Sequence, residues 1–171
     1  MSIHRVLISC RFDSFFVDRL ASLCEECNFD GFLINMELPN IPGHLVRLLQ
    51  QFLKELRDRL KKISPFHQVI WYDSIDSDGY LNYQNKLNGK NRPYFNNADG
   101  IFLNYWWKPG DLLLTKQAAG KRFDSKCSVI TRNLDVYVGI DVWGRGTHGG
   151  GGYNTAEDLA LIKQYGKSLK G

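Results

Sequence analysis

Two residues in this 171-residue chain stand where chemistry would be done, Asn35 and Glu37. They close the run Phe29-Asp-Gly-Phe-Leu-Ile-Asn-Met-Glu37, which Asp30-Gly31 opens and Pro39 stops, so the run reads as a short buried strand. Side chains two apart share a strand face, which sets the amide beside the carboxylate. A carboxyl group can donate and take back a proton, and a neighbouring amide can hold a polar group next to it. Polar groups also end three later apolar runs: Tyr72 and Asp73, Asn104 and Tyr105, and Asp141. Trp71, Tyr72, Tyr83, Tyr105, Trp106 and Trp107 lie at or just after these ends. Aromatic faces with amides and acids between them suit sugars, whose C–H faces stack while their hydroxyls take directed hydrogen bonds. The plain alternative for any one of these aromatics is loop packing.

The elements that must position these groups follow from periodicity. Phe16, Val17, Leu20, Leu23, Cys24 and Cys27 recur at helical spacing. From Gly43, residues Leu45, Leu48, Leu49, Phe52, Leu53, Leu56 and Leu60 lay one apolar stripe on a helix that Pro65 closes, and packing on a sheet explains it. Val69–Asp73, Gly100–Tyr105 and Asp135–Val142 read as further strands. The segment from Ser74 to Asn91 is a long loop, with a weak helical signal from Tyr80, Leu81, Tyr83 and Leu87. Asp111 is placed to cap a helix through about Ala119, and Thr155 to begin one ending near Gly166. Strands recurring about every 35 residues leave room for a helix between each pair, which predicts a parallel sheet with all carboxyl ends on one side. A fifth strand is possible near Val6 or Val129.

Composition excludes several classes. With 43% hydrophobic and 13% aromatic residues the chain can bury a core as one domain, and 23% charged residues argue against disorder. The net charge of +4 resides mostly on a solvated helix face (Arg47, Lys54, Arg57, Arg59, Lys61, Lys62), so nucleic acid is not an expected partner. No apolar run is long enough for a membrane span, and the start lacks the charged-then-apolar order of a signal peptide, so the cytosol is the expected location. Cys24 and Cys27 form a CxxC with no second pair, and His4, His44, His67 and His148 have no ligand spacing, so no metal or other cofactor is expected. The GxGxxG match Gly144–Gly149 has too little chain after it for a dinucleotide fold and reads as a mobile loop over the site. Ser74–Gly79 half resembles a calcium loop, but Ser74 and Asn85 stand where acids are needed, which leaves a solvated turn.

The runs Phe29–Glu37, Val69–Ser74, Tyr83–Leu87, Asp99–Trp106 and Asp135–Gly146, with Gly149–Tyr153, resemble in order the cytosolic endo-β-N-acetylglucosaminidases of glycoside hydrolase family 85. The resemblance covers about residues 12 to 165 and implies an α/β fold of the TIM (β/α)8-barrel type. It implies cleavage of the N,N′-diacetylchitobiose core of N-glycans, on glycoproteins or as free oligosaccharides. In that family the substrate's own 2-acetamido oxygen attacks the anomeric carbon and forms an oxazoline, so one carboxylate suffices. By resemblance Glu37 is the general acid and base, Asn35 holds the acetamido N–H, and Tyr72 lies near the same group. Tyr83 and Trp106 match positions lining the glycan groove, where Trp71, Asp73, Asn104, Tyr105 and Asp141 are also expected. A barrel takes about 250 residues, so residues 1–171 are expected to hold only its middle part. A non-catalytic remnant and a glycan-binding module that uses the aromatics without the acid are the alternatives.

Overall fold

Each apolar run beginning at a glycine or a polar residue folds, in the computed structural model, into a short strand; the structure describes residues 14–120, 122–123, 129–130 and 132–165. Strands β1 (Gly31–Ile34), β2 (Gln68–Tyr72), β3 (Gly100–Leu103) and β6 (Val136–Val138) form one sheet in the order β1-β2-β3-β6. Every pairing in it is parallel, with Leu33 beside Ile70, Tyr72 beside Phe102 and Phe102 beside Tyr137. Helix α1 (Ser14–Glu26) precedes β1, helices α2 (Gly43–Ile63), α3 (Arg92–Asn97) and α4 (Pro109–Ala119) fill the three connections of the sheet, and α5 (Thr155–Tyr165) follows β6. The expected α/β alternation and parallel sheet are both present.

Strand alternation sorts the sheet into two faces. Val69, Trp71, Ile101, Leu103 and Val136 point to the helices and are buried with Leu45, Leu49, Phe52, Leu53, Leu56 and Leu60 of α2. Leu33, Ile70, Tyr72, Phe102 and Tyr137 share the opposite face through their register. Arg132 fastens the base of β3. Its guanidinium lies 4.0 Å over the Phe95 ring, donates to the carbonyls of Phe95, Ala98 and Asp99, and pairs with Asp135. The basic face of α2 is largely ion-paired, Lys54 and Arg57 with Asp58, Arg59 with Asp18 and Lys61 with Asp99. Gly31 enters β1 at φ 138°, where a Cβ would lie 1.8 Å from the Gln68 carbonyl oxygen. Only glycine lets the first two strands come this close.

Several expectations need correction. The first strand is an edge strand and not a buried one: Leu33 is 53% exposed, because among the described residues nothing pairs with its outer side. Tyr80–Leu87 forms no helix, since its backbone N–H groups are used elsewhere: Leu81 bridges Ile75, Asn82 donates to the Ser74 carbonyl, and Gln84 and Asn85 donate to Asp73. Asp111 is not the helix cap but the third residue of α4, where its carboxylate accepts the Lys108 N–H (3.0 Å) and pairs with Lys86 (2.8 Å). Val129–Ile130 is a strand, β5, paired antiparallel with β4 (Arg122–Phe123) outside the main sheet. Val6 lies outside the described residues. Cys24 packs in the core, but Cys27 is exposed just beyond α1. The turn at Ser74–Gly79 is solvated only in part: Asp78 is exposed, whereas Asp76 is buried and accepts the N–H groups of Asp78 and Tyr80 and the Asn82 amide.

Candidate active site

Parallel pairing brings four strand ends to one edge of the sheet, and the polar residues gather there. Asn35 and Glu37 follow β1 directly, and the Asn35 amide donates to the Glu37 carboxylate at 3.1 Å. Tyr83, carried in by the loop after β2, hydrogen-bonds to Glu37. Burial first, then the Glu37 charge and that hydrogen bond, push the Tyr83 hydroxyl above its ordinary range. Tyr72 is also pushed up, first by burial and then by Tyr105 and Glu37. Both phenols therefore stay protonated and available as donors over the ordinary pH range.

A cleft of about 180 Å³ opens beside this group, lined by Tyr72, Tyr83, Asn104, Tyr105, Trp106, Asp141 and Arg145. Its aromatic wall is a chain of ring contacts: Tyr72 meets Tyr83 edge-on at 6.4 Å and stacks on Phe102 at 5.9 Å, and Phe102 meets Tyr105 at 6.0 Å. Trp106 is half exposed yet fixed at both ends. Its backbone N–H donates to the Asn85 side chain (3.1 Å) and its indole N–H to the Arg145 carbonyl (3.1 Å). The glycine loop is therefore hydrogen-bonded to the cleft wall, with its own turns closed by Thr147 N–H to Gly144 O and Gly152 N–H to Val142 O.

Eight of the ten residues expected at the site line the cleft or, as Asn35 and Glu37 do, stand at the strand end beside it, and two turn away from it. Trp71 is fully buried on the helix side, stacked on Tyr94 at 4.5 Å and 11°. Its register explains why, since odd-numbered residues of β2 point away from the face that carries Tyr72. Asp73 shares that parity and holds the loop rather than the cleft: it accepts the N–H groups of Gln84 (3.0 Å) and Asn85 (2.8 Å) and the Asn91 amide (3.0 Å). Trp107 is also buried, its indole N–H donating to the Gly139 carbonyl at 2.7 Å. The sequence reading missed Arg145, Asn85 and Asn91. Arg145 carried one signal, its place inside the glycine motif Gly144–Gly149 that follows the last sheet strand.

Burial pushes the Asp73 carboxyl up to about 6, against the hydrogen bonds from Asn91, Asn85, Gln84 and Asn104 that favour its charged form. A carboxyl whose folded pKa lies above its unfolded value binds more protons when folded, so its contribution to stability declines as pH rises from about 4 to about 6. Two such units amount to roughly 3 kcal/mol. The expected result is that wild-type stability falls across this window relative to Asp73→Asn, followed by denaturant melts at each pH. Parallel curves would remove Asp73 as the source.

Among the described residues no group of three His, Cys, Asp or Glu side chains could hold a metal ion. No helix among them is long and apolar enough to cross a membrane.

Comparison with known proteins places this geometry. The family model for glycosyl hydrolase family 85 matches residues 3–170. The cytosolic endo-beta-N-acetylglucosaminidase of Gallus gallus is 40% identical over 150 residues, covering 88% of this chain and 19% of its own length. The cytosolic endo-beta-N-acetylglucosaminidase of Homo sapiens is 37% identical over 152 residues, covering 89% and 19%. Cytosolic endo-beta-N-acetylglucosaminidase 2 of Arabidopsis thaliana is 38% identical over 149 residues, covering 87% and 20%. The chain thus spans about a fifth of the curated relatives it matches. The solved glycoside hydrolase domain of Endo-D from Streptococcus pneumoniae R6 superimposes with a TM-score of 0.64 at 19% identity, over 84% of this chain and 23% of that one.

Proposed function

The chain belongs to glycosyl hydrolase family 85, and we propose that it carries the catalytic edge of an endo-β-N-acetylglucosaminidase acting on the chitobiose core of N-glycans in the cytosol. Its four parallel strands are then consecutive strands of a (β/α)8 barrel, whose ligands sit at the carboxyl ends of the strands. The observation that carries this reading is the Asn35–Glu37 pair, hydrogen-bonded at 3.1 Å and facing Tyr83 beside an aromatic cleft. The relatives' names, cytosolic endo-beta-N-acetylglucosaminidase, support the activity and the compartment.

The mechanism follows from which carboxylates are free to react. A conventional retaining glycosidase needs a second carboxylate as nucleophile, roughly 5 Å from the acid. Asp73 is buried with its oxygens taken by loop donors, and Asp141 accepts the Trp143 N–H and the Arg145 side chain. Both are buried and already engaged by these donors, which favours attack by the substrate itself. The 2-acetamido carbonyl oxygen attacks the anomeric carbon as Glu37 protonates the departing glycosidic oxygen, and the C–O bond breaks. Asn35 holds the acetamido N–H, and the Tyr72 hydroxyl donates to the same group. In the second half Glu37 takes a proton from water, which opens the oxazoline and restores the sugar.

The direct experiment is to incubate an N-glycosylated peptide with this chain. A second sample is a chimera in which the chain replaces the matched segment of the Gallus gallus relative. The expected product is a peptide retaining one N-acetylglucosamine, detected by mass. A folded chimera that binds glycan but releases none would favour a glycan-binding module instead.

A further inference from the structure

We propose that Asn85 is a positioning residue for the reaction, a single side chain that sets Tyr83 against Glu37 and Trp106 against the glycine loop. This role rests on the proposed function and deepens it. Asn85 has a left-handed backbone, with φ at 57°. Asparagine tolerates that conformation because its short polar side chain finds hydrogen bonds nearby, whereas most other residues are strained in it. The turn aims two successive N–H groups, those of Gln84 (3.0 Å) and Asn85 (2.8 Å), at the same oxygen of Asp73. Successive backbone N–H groups form such a concavity for an anion.

The anchor under Asn85 is buried and tied in turn. The second oxygen of Asp73 accepts the Asn91 amide at 3.0 Å, and the same amide donates to the Lys86 carbonyl at 2.8 Å. Asp73 and Asn91 are both buried. Helix α4 holds the next two residues of the loop, Lys86 through Asp111 (2.8 Å) and the Leu87 N–H through the Thr115 hydroxyl (3.0 Å). The backbone at Asn85 is thereby fixed before its side chain makes any contact with the cleft.

That side chain makes two bonds of opposite sense. Its Oδ1 accepts the Trp106 backbone N–H at 3.1 Å, and its Nδ2 donates to the Tyr83 carbonyl at 3.3 Å. Turning the amide over would set donor against donor and acceptor against acceptor, so one orientation alone satisfies both. Tyr83 carries its hydroxyl to Glu37, and the Trp106 indole N–H donates to the Arg145 carbonyl at 3.1 Å. Glu37 and the glycine loop are therefore joined through Tyr83, Asn85 and Trp106, and both of these aromatics line the cleft. A misplacement of about 1 Å in such a constellation is enough to cost about 10²-fold in rate.

The test uses the glycopeptide assay on the chain and on the Gallus gallus chimera. Asn85→Gly keeps the left-handed backbone and the N–H to Asp73 but removes both side-chain bonds, and it is expected to lower kcat by about 10- to 100-fold and to raise KM. Asn85→Asp keeps the acceptor for the Trp106 N–H and loses the donor to Tyr83, so kcat should fall while KM stays near that of wild type. Tyr83→Phe removes the hydroxyl that meets Glu37. In that background the kcat loss from Asn85→Gly should shrink to a few-fold, because the two changes act through one contact. Cooperative denaturant melts show that each variant is folded, and if Asn85→Gly fails to fold the split between kcat and KM in Asn85→Asp carries the test. Unchanged kcat in either folded variant, or losses that simply multiply with Tyr83→Phe, overturn the positioning role and leave the proposed activity standing. Wild type without turnover in both samples overturns the proposed activity and the positioning role with it.

Discussion

Glu37→Gln is expected to lower glycopeptide hydrolysis by about 10²- to 10⁴-fold, the usual contribution of a general acid, with glycan affinity nearly unchanged. The amide keeps the size of the carboxyl and an oxygen to accept the Asn35 amide and the Tyr83 hydroxyl, so the local packing survives. What it loses is the proton that the sugar leaving group needs, and no other carboxylate near the cleft can supply it. Asp73 is turned toward its loop and Asp141 is engaged with Arg145. Initial rates from peptide-product mass, with Kd from calorimetry on the same variant, check both halves. Retention of more than about a tenth of wild-type turnover would remove Glu37 from the acid role.

Asn35→Ala is expected to cost about 10²- to 10³-fold in hydrolysis, the range seen when one preorganised donor to a developing charge is removed. The amide holds the acetamido group in the geometry that closes the oxazoline, and its bond to Glu37 keeps both groups on one side of the strand end. A loss in kcat larger than any change in KM marks an interaction made in the transition state. A loss confined to KM would instead make Asn35 a ground-state binding residue.

Much of this site was legible from residue spacing. Strands recurring about every 35 residues led to a parallel sheet, their polar ends to one functional edge, and Asn35 and Glu37 emerge on it side by side. Trp71 was misplaced although its parity with Tyr72 was available: adjacent strand residues cannot both face a cleft, and the larger ring took the helix side against Tyr94. Asp73 was misplaced for a different reason. Its donors are backbone groups of Gln84 and Asn85, whose arrival depends on the path of a long loop, including the left-handed Asn85 at φ 57°. The place of Arg145 in the cleft was not legible for the same cause, although its glycine motif was, since only the folded loop shows where its tip points. Edge exposure of β1 could not be read from its apolar composition, because burial depends on what lies beside a strand.

The division of labour between Asn35 and Glu37 is tested most directly with a preformed glycan oxazoline as donor and an N-acetylglucosaminyl peptide as acceptor. This donor bypasses the step in which Asn35 acts but still needs Glu37 to take the acceptor's proton. In the Gallus gallus chimera, Asn35→Ala should therefore form transfer product from the oxazoline while hydrolysing natural glycan poorly, and Glu37→Gln should form little from either. Equal loss of transfer in the two variants would contradict substrate-assisted catalysis with these roles.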